Sequence, residues 1–88
     1  MFSSSKSITV KRDFTKRFVE NFVYELGKIN SDVNISNIER CANAKSSLGL
    51  LSLVIKEDDI IRVDIHSGIS VEKAQDDLHK VLEMIEVI

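Results

Sequence analysis

The tightest constraint on this chain comes from two neighbouring segments whose apolar residues repeat with different periods. The segment IIRVDIHS (60–67) alternates, with Ile61, Val63 and Ile65 on one face. A period of two predicts a strand that buries one face. The segment that follows, 71–85, repeats apolar residues every three or four positions and predicts an amphipathic helix. Because strand and helix each have a single apolar face, the chain must fold as a sheet covered by helices.

The remaining segments extend this pattern. Alternation predicts strands in SITVK (7–11, with Ile8 and Val10 inward), in SDVNIS (31–36, with Val33 and Ile35 inward) and, more weakly, in IERCANA (38–44). A stripe of Phe18, Phe22, Leu26 and Ile29 predicts a helix within 13–29, capped by Asp13 or Thr15, and SSLGLLSL (46–53) predicts one or two helical turns. The last helix begins after its N-cap Ser70, with core positions at Val71, Ala74, Leu78, Val81 or Leu82, and Ile85. This order predicts a two-layer α/β (α+β) sandwich with an open sheet.

Composition narrows the function classes. The 88 residues fit one small domain, and a net charge of −2 lacks the basic excess of a broad nucleic-acid footprint. No apolar run is long enough to span a bilayer, and no apolar segment follows Lys6 as in a signal peptide. With one cysteine, Cys41, no internal disulfide forms, which favours a reducing, cytoplasmic location. No metal-ligand spacing, phosphate loop or paired nucleophile and base is present, so we expect no metal, no cofactor and no enzyme.

The segment NAKSSLGLLSL carries a resemblance. It is similar to the Asn-Ala-Lys-Ser-Ile-Met-Gly-x-x-Ser-Leu segment of the HPr family, the small phosphocarriers of the bacterial sugar phosphotransferase system. The matching positions are Asn43, Ala44, Lys45, Ser46, Gly49, Ser52 and Leu53. The resemblance implies one HPr-like domain over 1–88, an open-faced sandwich with a four-stranded antiparallel sheet of order 1-4-2-3 and three helices on one face.

A second family motif is only partly present. The resemblance implies a phosphate-accepting histidine at the start of the first helix, where this chain has Thr15 in the run FTKRF. Phe14 and Arg17 match the motif, whereas Phe18 stands in the place of a proline. A threonine hydroxyl without a neighbouring base is a poor nucleophile, and its phosphate ester is too stable to hand on. We therefore expect no phosphoryl relay and no catalytic residue.

Other candidate acceptors are weak. His66 falls at the end of a predicted strand and His79 inside the last helix, so both are interpreted as surface histidines. Asp13 lacks the carboxylate cluster that acyl-phosphate chemistry uses and is interpreted as a helix cap. Cys41 is interpreted as a small buried apolar residue.

The resemblance also implies a regulatory role for Ser46. In low-GC Gram-positive bacteria, HPr kinase phosphorylates this serine with ATP, and the product is a corepressor for a transcription regulator of carbon metabolism. At the N-cap of the short helix, a phosphate on Ser46 would meet free N–H groups, with Lys45 nearby. The predicted partner-binding residues are Arg17, Lys45, Ser47, Leu48 and Leu51, and Ser47 is also a rival phosphate acceptor.

Three interpretations stay open at this level. The first is a regulatory protein-interaction module switched at Ser46. The second is a phosphotransferase-system carrier with a different acceptor, and the third is an interaction domain that is never phosphorylated. Serine is among the best N-cap residues, so Ser46 by itself needs no function beyond capping.

Overall fold

A computed structural model describes residues 1–87 of the chain and contains four strands and three helices. The elements are β1 (Phe2–Thr9), α1 (Lys16–Leu26), β2 (Asp32–Ser36), β3 (Cys41–Asn43), α2 (Ser47–Ser52), β4 (Ile60–Ser67) and α3 (Val71–Val87). The strands form one antiparallel sheet of order β1-β4-β2-β3. The helices cover one face of this sheet, which confirms the predicted open-faced sandwich.

The centre of the sheet is the alternating segment identified in the sequence. Ile61, Val63 and Ile65 of β4 are buried beneath the helices. On the opposite face, Arg62 Nε lies 2.9 Å from Asp64 Oδ1. Strand β4 pairs with β1 on one side and β2 on the other, so the predicted one-faced strand is confirmed.

Strand β1 begins earlier than predicted. The pattern indicated a strand from Ser7, whereas the structure starts it at Phe2, opposite Ser67 of β4. The serine-rich stretch has no apolar alternation that could reveal it. Backbone pairing along the whole of β4 keeps it extended, because antiparallel ladder bonds need no particular side chain.

Helix α1 supplies the aromatic part of the core. Its buried residues are Phe18, Val19, Phe22 and Leu26. The Phe18 and Phe22 rings stack at 5.5 Å between centroids, and the Phe14 ring lies 4.7 Å from Phe18 and 6.2 Å from Phe22. These separations fall within the range that favours aromatic pairs.

Two positions differ from their predicted burial. Cys41 is exposed, because it pairs with Ser36, and directly opposed residues of an antiparallel pair share a face. The face that points to the core at this place carries Ile35 with Ala42 instead. Val71 of α3 is 44% exposed, so the buried stripe of that helix begins one turn later, at Ala74.

Helix α2 ends in a strained conformation. Val54, directly after the helix, has φ = 50° and donates its N–H to Leu51 O. This left-handed position usually holds glycine or asparagine, and a β-branched residue there is disfavoured by about 1 to 2 kcal/mol.

We expect Val54→Asn to stabilise the fold by about 1 kcal/mol, because asparagine tolerates the left-handed region. The measurement is the urea midpoint, with Ile38→Asn as the control, since Ile38 is fully exposed and has no positive φ. An equal shift in both variants would show that the gain comes from surface polarity and not from released strain.

Candidate functional site

Ser46 and helix α2 form the first part of the candidate site. Ser46 is the N-cap of α2, with extended backbone at φ −110° and ψ 114°, and its Oγ accepts a hydrogen bond from Gly49 N at 3.2 Å. The residue is exposed, so its hydroxyl is within reach of another protein. Ser47 is half-buried in the first turn of the helix and is less accessible than Ser46.

Gly49 allows this cap to form. A Cβ at position 49 would lie 3.3 Å from Ser46 Oγ and 3.4 Å from Ala42 Cβ, so a larger residue would press on the capping hydroxyl. The requirement here is close approach and not unusual dihedral angles, since Gly49 has no positive φ. Gly49, which interrupts the run of leucines, thus leaves room for the capping hydroxyl of Ser46.

The leucines of α2 have divided roles. Leu50 is fully buried in the core and Leu51 is half-buried against it. Leu48 is 83% exposed and projects from the same turn that carries Ser46. Of the two leucines predicted to bind a partner, Leu48 is the one with a free apolar surface.

Thr15 and Arg17 lie together at the start of α1. Thr15 is the N-cap, and its Oγ1 accepts from Phe18 N at 3.2 Å. With Arg12, Phe18 and Asn21, these two residues line an open depression of about 230 Å³. The depression carries two guanidinium groups and no acidic side chain, so it favours anions.

Arg12 is the charged residue of this depression that the sequence did not reveal. Its guanidinium lies 4.8 Å from the centre of the Phe18 ring, a cation–π distance. The run KRDFTKR (11–17) contains a basic pair on each side of Asp13 to Thr15. That symmetry is the signal that could have revealed a cationic surface around position 15.

Contacts at the ends of the two helices fix their relative direction. Lys45, directly before α2, donates from Nζ to Ile29 O, just after α1. Phe14, before α1, donates its N–H to Ile55 O, after α2, at 2.9 Å. The helices are in contact and run in opposite directions.

Ser46 and Arg17 belong to different helices of this pair. Ser46 caps the N-terminal end of α2, and Arg17 lies in the first turn of α1. The Lys45 ammonium is held by a carbonyl of the loop after α1 and does not contact Ser46. A partner that contacts both Ser46 and Arg17 must therefore contact both helices.

The remaining candidate acceptors lie elsewhere. His66 is half-buried on the open face of β4, and His79 is exposed on α3 with Nε2 3.1 Å from Glu83 Oε1. Asp13 does not cap α1. Its Oδ1 accepts from Glu57 N at 2.8 Å and ties the loop before α1 to the loop before β4.

A buried polar cluster beneath α3 was not predicted. Asp77 is fully buried, Ser31 Oγ donates to its Oδ2 at 2.5 Å, and Lys73 Nζ lies 3.0 Å from its Oδ1. Burial raises the pKa of Asp77, but the hydrogen bonds from Ser31 and Lys73 and the charges of Lys73 and Lys80 together lower it, so the net shift is downward. This cluster holds α3 against the start of β2 and takes no part in the surface around Ser46.

The chain offers neither a metal site nor a membrane-spanning helix within its described residues. Residues 1–87 contain no group of three or more His, Cys, Asp or Glu side chains placed to hold a metal ion. Within the same range, no helix has the length and apolar character needed to cross a membrane.

Comparison with solved structures agrees with this geometry. HPr from Bacillus anthracis str. Ames superimposes with a TM-score of 0.83 at 23% identity, over 96% of this chain and 98% of that one. The histidine-containing phosphocarrier protein of Mycoplasma gives 0.74 at 17% identity, over 94% and 98%. Crh, the catabolite repression containing protein of Bacillus subtilis, gives 0.71 at 26% identity, over 89% and 85%.

Comparison of the sequence with known proteins and families identifies one family. None of the curated proteins matches the chain significantly. The family model described as "PTS HPr component phosphorylation site" matches residues 3–84, which is nearly the whole length. The sheet order and the helix arrangement agree with this match. The chain therefore belongs to the HPr family of the phosphotransferase system.

Proposed function

We propose that this protein is a regulatory interaction module of the HPr family, switched by phosphorylation at Ser46 and without phosphoryl relay of its own. The observation that carries the proposal is an exposed Ser46 hydroxyl beside an exposed Leu48, in a chain that has threonine at position 15. The similarity to Crh, whose name refers to catabolite repression, supports the regulatory direction.

The chemistry assigned to Ser46 is that of an acceptor. Its Oγ attacks the γ-phosphorus of ATP in the active site of an HPr kinase, the bond to ADP breaks, and the hydroxyl proton passes to a base of the kinase. The product adds about 1.5 to 2 negative charges beside Leu48. A partner such as a transcription regulator of carbon metabolism then binds the phosphate on Ser46 together with the apolar side chain of Leu48.

The loss of relay follows from the group at position 15. Thr15 Oγ1 is already occupied as the α1 cap, and no acid or base among the residues lining its depression would activate it. On this proposal the protein is not an enzyme, uses no cofactor or metal, binds proteins and not nucleic acid, and acts in the cytoplasm.

One observation favours a second candidate, a carrier that uses a different acceptor. The depression at Thr15 retains two arginines, which suit the approach of a phosphorylated donor. A carrier of this kind would be phosphorylated by enzyme I with phosphoenolpyruvate, and the product would be labile to acid.

Two parallel reactions separate the candidates. We expect HPr kinase with ATP to add one phosphoryl group to the wild-type protein and to the Ser47→Ala variant, and none to Ser46→Ala. Enzyme I with phosphoenolpyruvate should leave all three masses unchanged. An acid-labile product of enzyme I would establish the carrier, and no product in either reaction would establish an unphosphorylated interaction domain.

A further inference from the structure

A groove at the end of the sheet lies apart from the surfaces described above. Residues of three segments line it: Asn37, Ile38 and Glu39 of the β2–β3 turn, Leu53 and Val54 after α2, and Asp58, Asp59 and Ile60 before and in β4. It is open to solvent, with a volume of about 450 Å³. It shares no lining residue with the depression at Thr15.

Three large apolar side chains of this groove face water. Ile38 is 99% exposed, Ile60 66% and Val54 63%. A second depression of about 440 Å³ continues past Ile38 and Ile60 toward Ser36 and Arg62. Single exposed apolar residues are ordinary, but a contiguous apolar patch with a polar rim is typical of a binding surface.

The backbone at Val54 is the second observation. Glycine or asparagine would end α2 at this left-handed position without strain, whereas the chain places a β-branched residue there at φ = 50°. The side chain gains no burial in return, since it is mostly exposed. Strain kept at an exposed apolar residue indicates that the side chain acts outside the fold.

The charge of the rim specifies what fits. Every charged residue that lines the groove itself is acidic, namely Glu39, Asp58 and Asp59, and Arg62 at the far end of the second depression is paired with Asp64. Among residues 1–87, no ion pair within the chain neutralises any of the three. An apolar floor with an acidic rim complements a segment whose apolar side chains are flanked by lysine or arginine.

We propose that the groove formed by Ile38, Val54 and Ile60 is a docking site for a basic, apolar segment of a partner protein. The site is independent of the switch, because Ser46 caps the N-terminal end of α2 and the groove lies beyond its C-terminal end. The protein thus has two faces, one controlled by phosphorylation and one constitutive.

The test uses three synthetic peptides of equal length, composed of leucine and lysine, leucine and glutamate, or serine and lysine. Each is titrated into the full-length ¹⁵N-labelled protein, and amide shifts are followed by NMR. We expect only the leucine–lysine peptide to show saturable binding and to shift the amide signals of Ile38, Val54, Asp58 and Ile60. Its affinity should fall as added salt screens the charges of the acidic rim.

Variants tie the binding to the groove. Ile38→Ser and Val54→Asn should each raise the Kd of the leucine–lysine peptide about fivefold or more, the usual effect of removing an important apolar contact. Ile69→Ser is the matched control, because Ile69 is 68% exposed and lies outside the groove, and the Kd of this variant should stay unchanged.

Three results of the peptide titration would overturn the proposal. They are equal binding of the leucine–glutamate peptide, shifts that map to Thr15 or Leu48, and no saturable binding by any peptide. Shifts of the groove residues that depend on protein concentration without peptide would also overturn it, because the occupant would then be a second copy of this chain. None of these results bears on phosphorylation at Ser46.

Discussion

Replacing Asp77 with alanine should destabilise the protein by about 2 to 3 kcal/mol. The carboxylate is fully buried and is the shared acceptor for Ser31 Oγ and Lys73 Nζ. Its removal leaves the buried Ser31 hydroxyl without an acceptor. Lys73 is 31% exposed and recovers part of its hydration, which keeps the loss below that of a wholly buried ion pair.

The matched control for this variant is Asp76→Ala. Asp76 is the preceding residue of α3 and is exposed, so its removal should change stability by about 0.5 kcal/mol or less. The measurement is urea unfolding of both variants beside the wild type. Equal unfolding midpoints for the two variants would show that the Ser31–Asp77–Lys73 cluster contributes nothing.

The same cluster predicts the direction of the acid response. Because the folded-state pKa of Asp77 is lowered, its contribution is fully present above the unfolded carboxyl pKa of about 4 and is lost as pH falls through the lower folded value. Asp77→Asn lacks this titration, so its unfolding free energy should fall less steeply below about pH 4 than that of the wild type. Parallel pH profiles would contradict the assignment.

The second large effect is expected at Phe22. Phe22→Ala should cost about 3 to 5 kcal/mol, because the ring is fully buried and contacts both Phe14 and Phe18. A domain of this size is stable by only about 4 to 13 kcal/mol, so the variant loses a large part of its total stability. Phe22→Leu, which keeps most of the volume, should fold and lose about a third of that amount.

Tyr24→Ala provides the comparison for Phe22. Tyr24 is an aromatic residue of the same helix, largely exposed, with Lys28 Nζ 5.1 Å from its ring centre. Its loss should change the free energy of unfolding by about 0.5 to 1 kcal/mol. Near-equal losses for Phe22→Ala and Tyr24→Ala would mean that the aromatic cluster does not anchor α1 to the sheet.

Sequence periodicity predicted the parts of this fold that one apolar face defines. Ile61, Val63 and Ile65 alternate in the sequence and are buried in β4, and the Phe18 and Phe22 stripe forms the core face of α1. These elements can be predicted from the sequence because burial of one face requires apolar residues at the period of the strand or helix.

Other features were hidden because they depend on contacts between distant residues. Asp77 stands in the polar-looking run QDDLHK, and only the approach of Ser31 explains its burial. The exposure of Cys41 depends on the register of β3 against β2. The groove around Ile38 and Val54 is formed by turns that are far apart in the sequence.

The candidate site could be predicted only in part, because some of its contacts also join distant residues. The capping roles of Thr15 and Ser46 follow from residue type and position; Ser46 was predicted as a cap, and Thr15 was one of two alternatives with Asp13. The contact between Lys45 and Ile29 was not, because a lysine next to a serine does not reveal where its side chain is held.

The most direct test of the account is the intact mass of the protein after incubation with HPr kinase and ATP, followed by mapping of the modified residue. The account predicts one added phosphoryl group, located on Ser46 and absent from Ser46→Ala. An unchanged mass, under conditions where an HPr that carries the serine is fully modified, would contradict it. Ser46 would then be a helix cap alone, and the fold would serve an interaction that phosphorylation does not control.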